Sequence, residues 1–154
     1  MDSYEEVRMI RTFRGLITDG GQDTIVLHTN DGATGYRIVK FQIMAQDAGT
    51  TAQESTVKIF KIVQSSITSE IDFSDNKLLA AAYWSSAPNY EAAEDLAVIF
   101  EREVFNQDIY LTHVDTAATQ PVNYYLELEQ IKLDLGESTV ATLKDIRNVK
   151  TQGF

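Results

Sequence analysis

The sequence predicts a mainly β domain, a jelly-roll-like β-sandwich with one or two short helices, and three observations carry that expectation. Apolar and polar residues alternate with period two over at least seven short runs. Turn-forming Gly, Asn and Asp separate those runs. Helical spacing of apolar residues surfaces in only two places, too few for an alternating α/β arrangement.

Thr24–Thr29 (TIVLHT) sets Ile25 and Leu27 against Val26 and His28, between the turns DGGQD and NDGATG. Gly35–Met44 (GYRIVKFQIM) places Val39, Phe41 and Ile43 on one face and Lys40 and Gln42 on the other, so the two runs are expected to pair as a hairpin. Tyr36 and Ile38 then fall on the face opposite Phe41, which gives this strand a second apolar surface in need of a partner. After the polar stretch Gln46–Glu54, Thr56–Gln64 (TVKIFKIVQ) is dense in β-branched and aromatic residues and reads as a third strand. Ile67–Phe73 alternates Ile67, Ser69, Ile71 and Phe73 with polar neighbours, as a fourth strand would.

Asp75–Trp84 (DNKLLAAAYW) changes character. Its Leu, Ala and Lys favour helix, and Ser74 or Asp75 is placed to cap a first turn. Ser85–Glu94 (SSAPNYEAAE), with Pro88 inside an acidic stretch, reads as a long exposed loop. Three further strands follow at Leu96–Val104, Asp108–Val114 and Asn123–Leu133; the last puts Tyr124, Leu126 and Leu128 inward and Tyr125, Glu127 and Glu129 outward. Glu137–Ile146 spaces Val140, Leu143 and Ile146 by three, with Asp134 and Glu137 at a capping-box offset, so a closing helix is expected.

At 154 residues the chain suits one domain, here residues 15–154. Residues 1–14 read as an N-terminal arm, because Tyr4, Val7, Met9, Ile10 and Phe13 are interleaved with charges and would leave apolar groups in water unless they docked on a neighbour. A formal net charge of −10 repels phosphates and anionic headgroups, and the basic residues are scattered, which argues against nucleic acid and membrane partners. Cysteine is absent, which removes disulfides and thiolate chemistry; no secretory signal pattern or membrane-length apolar run is expected.

Few residues offer chemistry. His113 and Asp115, two apart on one strand face, are the one pair that suggests an oriented base, and no G-x-S-x-G elbow accompanies them; a strand-end histidine beside a turn aspartate is the plainer reading. Asp19, Asp23, Asn30 and Asp31 can gather around calcium or simply build tight turns, and their spacing matches no EF-hand loop. Glu127 and Glu129 are paired carboxylates or a solvated face. Phosphate-cradling glycine motifs are absent. Tyr83, Trp84 and Tyr90 bracket the long loop, where an aromatic stacks on a sugar, anchors an interface or plugs the end of a sandwich. No catalytic, metal or cofactor-binding set is expected, and the candidate interface residues are Tyr4, Val7, Met9, Ile10, Phe13, Tyr36, Ile38, Trp84 and Tyr90.

Two stretches carry a resemblance: GLITDGGQDTIVLHTNDGATGYRIVKFQIM (Gly15–Met44) and FNQDIYLTHVD...NYYLELEQIKLDLGESTVATLKDIRN (Phe105–Asn148). They are similar to small virion proteins of marine tailed bacteriophages. The resemblance implies a structural, non-enzymatic component of the particle: a capsid decoration protein bound by protein–protein contacts, with a tail-associated or host-glycan-binding module as the alternative. It implies a virion location after synthesis in the host cytoplasm, capsid or tail proteins as partners, and a homo-oligomer, a trimer favoured. It carries over no active-site residue.

Overall fold

A strand shows alternate side chains to the two faces of its sheet, so a core forms where the apolar faces of two sheets meet. The computed structural model describes residues 8–49, 52–86 and 95–134. Among these residues the regular elements are eight strands: β1 (Met9–Ile17), β2 (Gln22–Ile25), β3 (Thr34–Ala45), β4 (Glu54–Phe60), β5 (Leu78–Ser85), β6 (Asp95–Ile99), β7 (Ile109–Asp115) and β8 (Val122–Lys132). They form a three-stranded antiparallel sheet, order β1-β8-β3, and a five-stranded one, order β2-β7-β4-β5-β6. The protein is therefore a mainly β sandwich. Its core joins Ile17, Ile38, Phe41, Leu126 and Leu128 from the first sheet to Val57, Ile59, Leu79, Ile109 and Leu111 from the second.

The connectivity has a simple regularity. β1 pairs with β8, β2 with β7 and β4 with β5, while β3 lies against β6 across the gap. The first two strands thus pair with the last two.

Five expectations are corrected by this arrangement. The first concerns β3. Register against β8 runs Ile38 to Leu128 and then Lys40 to Glu127, so Val39 is an extra residue and the strand bulges. A one-residue insertion reverses the alternation, and Tyr36 and Ile38 (2% and 1% exposed) enter the same core as Phe41 and Ile43. The second apolar face expected of this strand does not exist, and neither residue is available as an interface.

The second correction concerns the hairpin. β2 and β3 lie in different sheets, because Asp108 Oδ1 accepts the N–H groups of Leu27 (2.9 Å) and His28 (3.0 Å) and draws the chain out of the β2 ladder after Ile25. The third concerns Ile67–Phe73, which forms no strand. The strand β4 is already flanked by β7 and β5, and this stretch instead crosses the outer face of the five-stranded sheet. Lys58 Nζ donates to the Glu70 carbonyl (2.6 Å), and the Gln22 side chain both donates to the Gln64 carbonyl and accepts from its N–H.

The fourth correction concerns Asp75–Trp84, which holds strand β5 where a helix was expected. Helix propensity is a weak prior, and here both faces of the run are buried between β4 and β6, with Ala80, Ala81 and Ala82 at 0%, 4% and 1% exposure. Asp75 does cap, but it caps a turn: its carboxylate accepts the Lys77 N–H and its carbonyl the Leu78 N–H. The fifth concerns the arm. Met9–Ile17 is an edge strand of the domain, paired along its length with β8, so residues 9–14 belong to the fold. Residues 1–7, most of the loop at 85–94 and the helix expected at 137–146 lie outside the described residues.

β1 was hidden because the residues on its core side, Met9, Arg11, Phe13, Gly15 and Ile17, include two that are not apolar, and only Ile17 is fully buried. Arg11 lies at the sandwich rim, its guanidinium 5.3 Å from the Phe13 ring centroid and donating to Tyr36 Oη. Gly15 makes room for a neighbour: a Cβ there would stand 2.7 Å from the Tyr124 ring.

Candidate functional site

His113 sits on β7 with its ring turned into the core, fully buried. Its Nδ1 lies 3.1 Å from the carbonyls of both Ile17 and Thr18, and its Nε2 lies 2.8 Å from Ser55 Oγ. Carbonyls only accept, so Nδ1 carries the proton and Nε2 accepts from the serine hydroxyl. Burial pushes the imidazole below its ordinary pKa, against the carbonyls and the nearby Asp19 and Asp115 that favour the charged form. Ser55 also accepts from the Gln53 amide at 2.8 Å, and both residues are fully buried. This histidine therefore ties β7 and β4 to the corner where β1 leaves the first sheet for the second.

Asp115 shares a strand face with His113, as its spacing requires, but it does not orient the ring. Its carboxylate accepts four backbone N–H groups, from Glu54, Ala117, Ala118 and Gln120, at 3.0–3.2 Å. Burial raises its pKa, yet those four donors together hold it below the ordinary carboxylate range. Ser55 beside His113 has the composition of a nucleophile and base, but both are sealed inside the sandwich with every ring nitrogen committed to structure.

Of the acidic turn residues, Asp19 and Asp31 are likewise occupied within their own turns and neighbours. Asp19 accepts the Asp115 N–H, and Asp31 accepts from Ala33 N–H and Thr29 Oγ1. Among the described residues no three of His, Asp and Glu converge as a metal-binding group. Asp108, at a strand entrance, holds exposed His28 through Nδ1 at 2.7 Å. Trp84 points inward with Ala80 and Ala82 and packs on the core, the plug reading; its indole N–H is buried and has no hydrogen-bond partner among the described residues. Of the other interface candidates, Met9 and Ile10 are exposed, Phe13 is partly buried against the core, and Tyr4, Val7 and Tyr90 lie outside the described residues.

The outer face of the three-stranded sheet was not singled out by its sequence. Cross-strand register arranges it in four ranks: Leu16–Asn123–Met44, Arg14–Tyr125–Gln42, Thr12–Glu127–Lys40 and Ile10–Glu129–Arg37. In the last two ranks both carboxylates are held by hydrogen bonds. Glu129 takes Arg8 and Arg37, and the Arg8 bond first, then Arg37 and both charges, keep its carboxyl below the ordinary range. Glu127 accepts the Tyr125 hydroxyl at 2.7 Å. Glu127 and Glu129, read earlier as paired carboxylates or a solvated face, are thus hydrogen-bonded surface anchors. The first two ranks border a groove of about 580 Å³. Its signal in the sequence was half legible, since Tyr125 was placed outward, but β1 was not recognised as the strand beside it.

No protein-family model matches the chain, and no curated protein matches it.

Proposed function

We propose that this protein is a structural component of a tailed-phage particle, a capsid decoration protein that binds the shell by protein–protein contacts. One observation supports this above the rest. The two stretches that resemble virion proteins, Gly15–Met44 and Phe105–Asn148, are far apart in sequence, yet they supply β3, most of β1's partner surface through β8, and the β2–β7 pair. Their described residues thus fall on paired strands in each sheet, β3 with β8 and β2 with β7, while β4, β5 and β6 lie outside them. A likeness that falls on paired strands is what a shared fold would leave behind. The pairing of β1 with β8, β2 with β7 and β4 with β5 also suits a jelly roll, with β6 attached beside β5.

A homo-oligomer, a trimer favoured, belongs to the same proposal, now on a different physical motive. β6 ends the five-stranded sheet, and its outward Leu96 and Val98 are 57% and 43% exposed. A closed ring would cover such an edge and its apolar residues, where an open one would recruit strands without limit. Mass spectrometry of purified particles tests the reading: the chain is expected in many copies per particle. Its presence in the infected-cell lysate and absence from particles would overturn it.

A further inference from the structure

We propose that the groove on the outer face of the three-stranded sheet binds an acidic oligosaccharide, with Tyr125 as stacking platform and Arg14 as the group that selects a carboxylate. The inference goes beyond the particle role and does not depend on it.

Tyr125 stands at the middle of the central strand. Its hydroxyl is tied to Glu127, and Lys40 Nζ lies 5.9 Å from the ring centroid, both from the third rank. The ring is thereby fixed in orientation, which leaves the face turned away from Lys40 for the groove it lines. A pre-positioned aromatic face is what the C–H face of a pyranose packs on, and it costs little ordering when the ligand arrives.

Three polar side chains of the groove are unpaired. Arg14 and Gln42 flank Tyr125 and Asn123 lies one rank further; none of the three side chains has a hydrogen-bond partner among the described residues, whereas Arg8, Arg37, Glu127 and Glu129 all do. Two amides present donors and acceptors together, the pairing that vicinal hydroxyls need, and a guanidinium presents a planar fork to a carboxylate. Leu16 and Met44, both exposed, wall the groove on either side of Asn123. Its volume falls within the range of sites for small ligands.

Charge selects the acidic class. In a chain of net charge −10, this face carries Arg8, Arg14, Arg37 and Lys40 against Glu127 and Glu129, four cations to two carboxylates. At the far end Arg8 and Arg37 share Glu129 and Glu101 lies beside them, whereas the lining of the groove itself holds one charged side chain, Arg14, and no carboxylate, so a uronic-acid carboxylate beside Tyr125 meets a cation without a competing anion.

Isothermal titration of the full chain with oligogalacturonate, beside a neutral cello-oligosaccharide of equal length, tests this. Saturable binding of the acidic sugar, weakened by salt and at least tenfold tighter than the neutral one, is expected. Tyr125→Ala should abolish it, Arg14→Gln should remove the acidic preference, and Arg37→Gln, at the paired end, should change affinity less than twofold. Circular dichroism confirms that each variant is folded. No binding, equal affinity for the two sugars, or undiminished binding by folded Tyr125→Ala overturns the proposal. So does protection of Tyr125 by a protein surface or nucleic acid with none by the sugar.

Discussion

His113 and Ser55 meet through a 2.8 Å hydrogen bond between Nε2 and Oγ, and neither side chain reaches solvent. In a cleft the same two groups would suggest a nucleophile and its base. Here the second ring nitrogen is spent on the carbonyls of Ile17 and Thr18, at the chain's crossing between sheets. The pair is a clasp. Its loss should appear in stability. His113→Ala orphans a buried hydroxyl, at a cost of about 1–3 kcal/mol for that group before the cavity is counted. Urea denaturation checks this, and His113→Gln, which keeps a donor and an acceptor, should recover part of the loss.

The same residue predicts a pH dependence. Its folded pKa lies below the unfolded value of about 6.5. The unfolded state then takes up the proton first as pH falls, so stability is full above about pH 6.5 and declines below it until the folded-state pKa is passed. Asp115 and Asp108, held below the ordinary carboxylate range, act in the same direction at lower pH. Denaturation curves between neutral and mildly acidic pH should show the first decline in the native chain, and its absence in His113→Gln.

The bulge at Val39 predicts a contrast along β3. Ile38 and Ile43 lie on opposite sides of it and are both in the core, so Ile38→Ala and Ile43→Ala should each cost roughly 2–5 kcal/mol. Deleting Val39 should cost more than either, because it returns Tyr36 and Ile38 to the solvent face together. If Ile38→Ala is as mild as a surface change, within about 0.5 kcal/mol, the bulge is misplaced.

The start of the domain gives a truncation test. Removing residues 1–12 strips Met9–Thr12 from β1 and uncovers the edge of β8 from Glu127 to Gln130. A loss of several kcal/mol is expected from that cut, while removal of residues 1–7 leaves every β1 pairing in place. Thermal melts of the two truncations make the comparison.

What the sequence revealed of this fold followed from where apolar alternation is unbroken. β8 was legible because Tyr124, Leu126 and Leu128 alternate cleanly and all point inward. β5 was not, because alanine is small enough for a crowded central strand and also the best helix former, and only burial on both sides decides between them. The Val39 insertion leaves no mark in composition; its effect is a change of phase that appears once a partner strand is present. His113 and Asp115 were placed on one face by spacing alone, but the direction of the ring depended on Ile17, Thr18 and Ser55, which are distant in sequence. The groove on the first sheet was missed because β1 alternates poorly, with Arg11 and Gly15 at inward positions.

Cryo-electron microscopy of the intact particle tests most directly the proposal that the chain is a subunit of a phage shell. Density for the two-sheet sandwich is expected on the outside of the capsid, in symmetric copies, with the β6 edge at Leu96 and Val98 covered by a neighbour. A particle map in which every shell density is accounted for by other chains, with no site for this sandwich on capsid or tail, would contradict it.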